Sequence, residues 1–170
     1  AVLSSLYSSS QSTPKMDFET YNPPSTLVVP GQPILKAKYP FIDVHNHQFS
    51  MPTMDLGTLT KEMDRLNMKV MVNLSGQSGD NIVKSVKNIK SNNPQRFIVF
   101  ANVDFSKVGD EGWARKAATQ LEEDVKNGAN GLKVYKNLGF SVKDVSGNRV
   151  AVDDPRLDPV WQKCAELKIP

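Results

Sequence analysis

Long apolar runs are missing from this chain. No uninterrupted stretch approaches the ~20 residues of a membrane-crossing helix, so no membrane span is expected. Cysteine is nearly missing as well: Cys164 stands alone, which excludes an internal disulfide and says nothing of the redox compartment. It falls in an apolar helical pattern, where a packed thiol is expected rather than a nucleophile. An excess of one charge is also lacking. Lys and Arg number 21 against 18 Asp and Glu, and the lysines are scattered among acids, so no basic stripe argues for nucleic acid. Histidine is scarce, with only 2 in the chain, and both fall in one short motif, at His45 and His47.

What is present suits a globular α/β protein. A length of 170 residues with 39% hydrophobic and 23% charged side chains is enough for one domain with a sizeable core. Residues 1–40 read as an arm preceding that domain. They carry Ser8-Ser9-Ser10 and then Pro14, Pro23, Pro24, Pro30, Pro33 and Pro40, which favour extended or turn conformations and remove backbone donors. The arm lacks the cationic start and long apolar centre of an intact secretory signal, and reads as a tether left after processing or as a chain boundary. Leu27-Val28-Val29 is expected as a short strand or an extended strap.

From Phe41 to Pro170 a regular alternation sets in. Strands are expected at Phe41–Val44, Lys69–Leu74, Phe97–Ala101 and Gly131–Tyr135, each of near-continuous apolar character. Helices are expected between them. The first runs from about Thr58 to Asn67, with Leu59, Met63 and Leu66 inward. The second covers Ser78 to Asn88, with Ile82, Val86 and Ile89 inward and Asn92-Asn93-Pro94 as its stop. The third runs from Gly112 to Lys126, with Ala114, Ala118, Leu121 and Val125 inward and Asn127-Gly128 as a left-handed cap. A last helix is expected to start at Asp158 as N-cap with Pro159 in its first turn, presenting Trp161, Cys164 and Ala165. Strand and helix in alternation predict parallel βα units, in a flavodoxin-like open sheet or the first half of a distorted (βα)8 barrel.

Placement of the polar residues favours the barrel. His45 and His47, Asn73 with Ser75, Asn102 with Asp104, and Lys133 with Tyr135 all fall at or just beyond strand C-termini, where barrel enzymes build their sites. The motif Phe41-Ile42-Asp43-Val44-His45-Asn46-His47 carries the clearest chemistry. Alternation along a strand sends His45 and His47 to one side, and two imidazoles on one rigid strand end suit capture of a divalent metal, zinc above all. Asp43 is expected on that face, where it either orients one imidazole or makes a simple strand-end hydrogen bond. Lys133 and Tyr135 share a face and are candidates for the barrel interior. Asp104 and Arg156 are candidate substrate contacts, with solvated loop charges as the alternative.

These residues resemble a known family. Ile42-Asp43-Val44-His45-Asn46-His47 is similar to the opening motif of the amidohydrolase superfamily, in the amidohydrolase-related branch of small-molecule hydrolases and metal-dependent decarboxylases. Gly131-Leu132-Lys133-Val134-Tyr135-Lys136-Asn137-Leu138-Gly139 and Asp153-Asp154-Pro155-Arg156-Leu157-Asp158-Pro159-Val160-Trp161 resemble that branch's fourth strand and the helix after it. The resemblance implies one or two divalent ions held in part by His45 and His47. It implies a metal-activated water acting on an amide, lactone or related bond, with decarboxylation as the alternative. It implies that Lys133 bridges metals or contacts substrate, with a lysine whose stem is buried and whose head reaches water as the alternative. Further ligands and the general base are then expected on strands five, six and eight, beyond Pro170, supplied by missing sequence or by a partner chain, a homo-oligomer included. The arm is similar to what precedes the barrel in exported members, pointing to a periplasmic or secreted location. Phosphoesterase-type barrels that also open with Asp-x-His-x-His, and a non-catalytic metal-binding half domain, remain alternative readings.

Overall fold

The computed structural model describes residues 17, 19–28, 31 and 33–170. Contacts divide the chain at Pro33 and Ile34 into two units. In the first, the described residues form no helix or strand, and Leu27 and Val28 are exposed without strand pairing. The expected strand is therefore absent at those two residues, and Val29 lies outside the described set, as do Ser8-Ser9-Ser10, Pro14 and Pro30.

The second unit is α/β. Its elements are β1 (Phe41–Asn46), α1 (Leu56–Leu66), β2 (Met68–Asn73), α2 (Asp80–Asn92), β3 (Phe97–Val99), α3 (Trp113–Lys126) and α4 (Asp158–Leu167), with one-turn 3-10 segments at Phe105–Lys107 and Pro155–Leu157. The three strands form a parallel sheet in the order β1-β2-β3. The expected fourth strand is reduced to a parallel bridge between Ala101 and Leu132. The Asn130 amide donates to the Val99 carbonyl at 2.8 Å, the Ala101 amide to the Gly131 carbonyl at 2.8 Å and the Lys133 amide to the Ala101 carbonyl at 2.9 Å, while the Leu132 amide, on the opposite edge, donates to the Pro170 carbonyl at 2.9 Å. That segment lies next to β3, so the sheet advances in one direction without the reversal that marks doubly wound folds.

Local chemistry explains the element ends. Asp55 accepts from the Gly57 amide at 2.8 Å and the Thr58 hydroxyl at 2.7 Å, which starts α1 at Leu56, two residues earlier than expected. Asn67, at φ 67°, closes it in the left-handed conformation. α2 continues to Asn92, directly before Asn93-Pro94, as expected of a proline stop. After α3, Gly128 takes φ +112°, as the predicted cap requires, and a side chain there would press on Val86. The start of α4 differs from expectation. Asp154 caps the preceding 3-10 turn, whose last residue, Leu157, takes the N-cap position, so Asp158 is the first helical residue. Val160 is the fully buried anchor of α4; Trp161 and Cys164 are half-buried, and Ala165 is exposed, contrary to its expected inward place. Burial pushes the Cys164 thiol up, as suits a packed sulfur.

The core joins Met51, Leu56, Met63, Met71, Ile82 and Leu121 with Phe97, Val99 and Val160. Under it lies one buried carboxylate. Asp124 has 0% exposure; its Oδ1 accepts from the Gly79 amide at 2.7 Å and the Gln120 amide group at 3.1 Å, and its Oδ2 has no partner among the described residues. Desolvation pushes its pKa up from 3.8, so the folded state holds this proton more tightly than the unfolded chain. The resulting stabilisation is complete below the unfolded value and is lost as pH climbs through the raised folded value. Asp124→Asn keeps the Oδ1 acceptor and is expected to flatten this part of the stability profile. Denaturant unfolding of both proteins between pH 4 and pH 8 should show wild type losing ground to the variant as pH rises.

Candidate metal centre

The site grows out of an irregularity in β1. Asp43 pairs with Met71 and Asn46 with Asn73, so β1 spends three residues where β2 spends two. Such a bulge breaks strict alternation and re-aims the side chains beyond it. Asp43 and Asn46 end up on a common side, with the Asn46 amide donating to Asp43 Oδ2 at 2.7 Å. Asp43 Oδ1 accepts from the His45 backbone amide at 3.0 Å. Asp43 thus makes the strand-end bond and contacts neither imidazole among the described residues.

His45 and His47 converge. Their Nε2 atoms stand 3.3 Å apart with the rings edge to face. With zinc–nitrogen bonds of about 2.05 Å, donors at 3.3 Å subtend roughly 107° at a shared ion, close to the tetrahedral value of about 109°. The nitrogen donors, their spacing and their exposure fit a divalent ion. Among the described residues no group of three or more His, Cys, Asp or Glu is gathered for a metal, so this pair supplies two ligands only.

Behind His47 the loop after β2 forms a buried support. Asn73, with 0% exposure, uses Oδ1 to accept from the amides of Gln48 and Ser75, each at 2.9 Å. Its Nδ2 donates to the Gln48 carbonyl at 3.0 Å and faces the Met51 sulfur at 3.3 Å. One side chain therefore ties the residue after His47 to the residue that touches its ring. Ser75 Oγ lies 2.6 Å from His47 Nδ1 and 3.1 Å from the Tyr135 hydroxyl. Gly76 lets this loop pass against β3, since a Cβ there would collide with the Phe100 carbonyl, Val99 and Ile82. Asn102 repeats the role of Asn73 one strand over: its Oδ1 accepts from the Gln77 amide at 2.8 Å, and its Nδ2 donates to the carbonyls of Leu74 and Lys133. Both asparagines are loop staples at the strand ends.

A pocket of about 490 Å³ opens on the pair, lined by His45, His47, Phe49, Lys133, Tyr135 and Lys136. Lys133 and Tyr135 thus reach the histidines from the bridge segment, 86 or more positions along the chain. His47 is stacked with both Phe49 and Tyr135, at ring centroid distances of 6.0 and 6.1 Å and interplanar angles of 11° and 28°. Among the described residues neither Lys133 nor Lys136 has a carboxylate within ion-pair distance. Ser75 is at a strand end as its position in the sequence implies, though the sequence assigns it no role; Phe49 and Lys136 carry no expectation from the sequence beyond the place of Lys136 directly after the expected fourth strand.

Asp104 and Arg156 do not join this pocket. Asp104 caps the Phe105–Lys107 turn, and its bonds to the Ser106 hydroxyl and amide hold its pKa low. Arg156 bridges Asp144 at 2.9 Å and Asp154 at 2.6 Å, which raises its pKa and lowers theirs. Both are occupied in shaping loops.

No family model, curated protein or solved structure matches this chain.

Proposed function

We propose that His45 and His47 are two ligands of a divalent-metal site at the mouth of a (βα)8-type barrel, and that the complete site is a metal-dependent hydrolase of the amidohydrolase kind. The observation that carries this reading is the 3.3 Å convergence of the two Nε2 atoms on a strand C-terminus. One-directional winding of the sheet supports the barrel. Bound zinc would supply a Lewis acid that polarises a carbonyl and acidifies a water. The chain's own residues do the rest of what is visible. The imidazoles fix the ion's place, Lys133 and Lys136 offer a substrate anion two cations that have no carboxylate partner among the described residues, and Phe49 and Tyr135 wall the pocket with apolar rings.

A second reading is decarboxylation. Two lysines beside stacked rings suit a planar carboxylated substrate as well as an amide or lactone. Protein supplied with zinc or manganese should be assayed against amides, lactones, carboxylated aromatics and phosphate monoesters. Turnover of phosphate esters alone would sink the hydrolase and decarboxylase readings together. Lys133→Met is expected to raise KM for a carboxylated substrate about 10–100-fold, the value of one lost charged hydrogen bond, with zinc affinity unchanged. Loss of zinc instead would make Lys133 a metal ligand.

A further inference from the structure

His47 can offer Nε2 to an ion only if its proton sits on Nδ1, and free imidazole has no strong reason to choose that arrangement in advance. The surrounding hydroxyls bias the choice. The Tyr135 hydroxyl donates its one proton to the Leu74 carbonyl at 3.2 Å, an acceptor that cannot donate in return. Its contact with Ser75, at 3.1 Å, is then a hydrogen bond only if Ser75 is the donor. With its proton committed to Tyr135, Ser75 Oγ can only accept from His47 Nδ1, at 2.6 Å. One pattern makes all three contacts hydrogen bonds at once: His47 Nδ1–H to Ser75, Ser75 to Tyr135, Tyr135 to the Leu74 carbonyl; the reverse order forfeits the Tyr135–Leu74 bond and leaves that carbonyl to Asn102 Nδ2 alone.

We propose that Ser75 and Tyr135 are positioning residues that lock His47 in the Nδ1–H tautomer and so hold its Nε2 lone pair ready for a metal ion. Ser75 suits the part because it is almost fully buried, with 2% exposure, and its own amide is pinned by Asn73. The hydroxyl therefore cannot turn to water. The two histidines are made unequal by this relay. His47 faces its partner with a lone pair, so in the metal-free protein His45 must donate from Nε2 across the 3.3 Å contact. His45 is exposed and its Nδ1 has no hydrogen-bond partner among the described residues, so it can exchange that proton with solvent and re-form as a second donor atom. One ligand is preset and the other adjusts. This relay rests on the metal reading above for its purpose, though the tautomer itself exists without metal.

Long-range proton–nitrogen NMR of the metal-free 170-residue chain reads the tautomers directly, because the chain has only 2 histidines. Wild type is expected to show His47 protonated at Nδ1 and bare at Nε2, with His45 the reverse. Ser75→Ala removes the acceptor, and Tyr135→Phe frees the serine proton to point at His47. Both should shift His47 toward the Nε2–H form and weaken zinc binding, measured by calorimetry, about 10–100-fold, as loss of an outer partner does elsewhere. A His47 tautomer unchanged in both variants overturns the relay, as does a wild-type His47 already protonated at Nε2. If the tautomer shifts as expected but wild type binds no zinc, the metal reading fails and the assignment as metal-positioning residues fails with it, leaving only a tautomer lock. If wild type binds zinc and the variants bind it equally, the relay alone is overturned.

Discussion

His45→Ala or His47→Ala should weaken zinc binding by more than roughly 100-fold, a larger loss than removal of an outer-shell partner produces. Two imidazoles on one strand end act together: each alone is an exposed side chain, and only their 3.3 Å convergence makes a two-point grip. The fold should survive either change, since both rings are exposed and neither belongs to the core. Calorimetric zinc titration alongside thermal unfolding separates the two effects. Retained affinity in either variant would mean that the ion binds elsewhere, whereas loss of affinity with collapse of the fold would show that these rings carry stability.

The second large effect is expected at a residue with no reactive role. Asn73 is fully buried and satisfies the amides of Gln48 and Ser75 and the Gln48 carbonyl, with its remaining amide proton on the Met51 sulfur. Asn73→Ala strands those backbone groups away from water and leaves a small void, a loss of about 2–4 kcal/mol by the cost of unmade buried hydrogen bonds. The same change releases both loops that frame His47, so zinc affinity should fall together with stability. Chemical denaturation measures the first and calorimetry the second. A variant as stable as wild type would show that the two loops hold their places without the staple.

The paired behaviour of these residues shows what could be read from the sequence. The βα alternation was legible because apolar periodicity reports burial directly, and Ile82, Val86 and Ile89 on α2 lie inward as their spacing requires. The histidine pair was legible because alternation places i and i+2 together. For Asp43 the sequence leaves two roles open, and the one made is the strand-end hydrogen bond, beside a bulge between Asp43 and Asn46 that the rule of alternation does not foresee. A bulge depends on pairing with β2, which local pattern does not contain. The fourth strand was overread for a similar reason. Gly131–Tyr135 has strand-like residues, but a strand extends only as far as a neighbour pairs with it, and here the pairing is one bridge between Ala101 and Leu132. Asn73 and Asn102 were visible at the strand ends as polar groups, but whether an amide is a staple or a reagent depends on partners that come from other segments. Arg156 follows the same logic, with its role set by Asp144, twelve residues earlier.

The central claim is that both Nε2 atoms meet on one divalent ion. Titration of zinc into nitrogen-15-labelled protein, followed by long-range proton–nitrogen NMR, tests it most directly, because 2 histidines are all the chain has. The account predicts that the Nε2 resonances of His45 and His47 move together and stop moving at one zinc per chain, with both rings left protonated at Nδ1. Zinc that leaves both Nε2 signals in place, or engages only one of them, would contradict it.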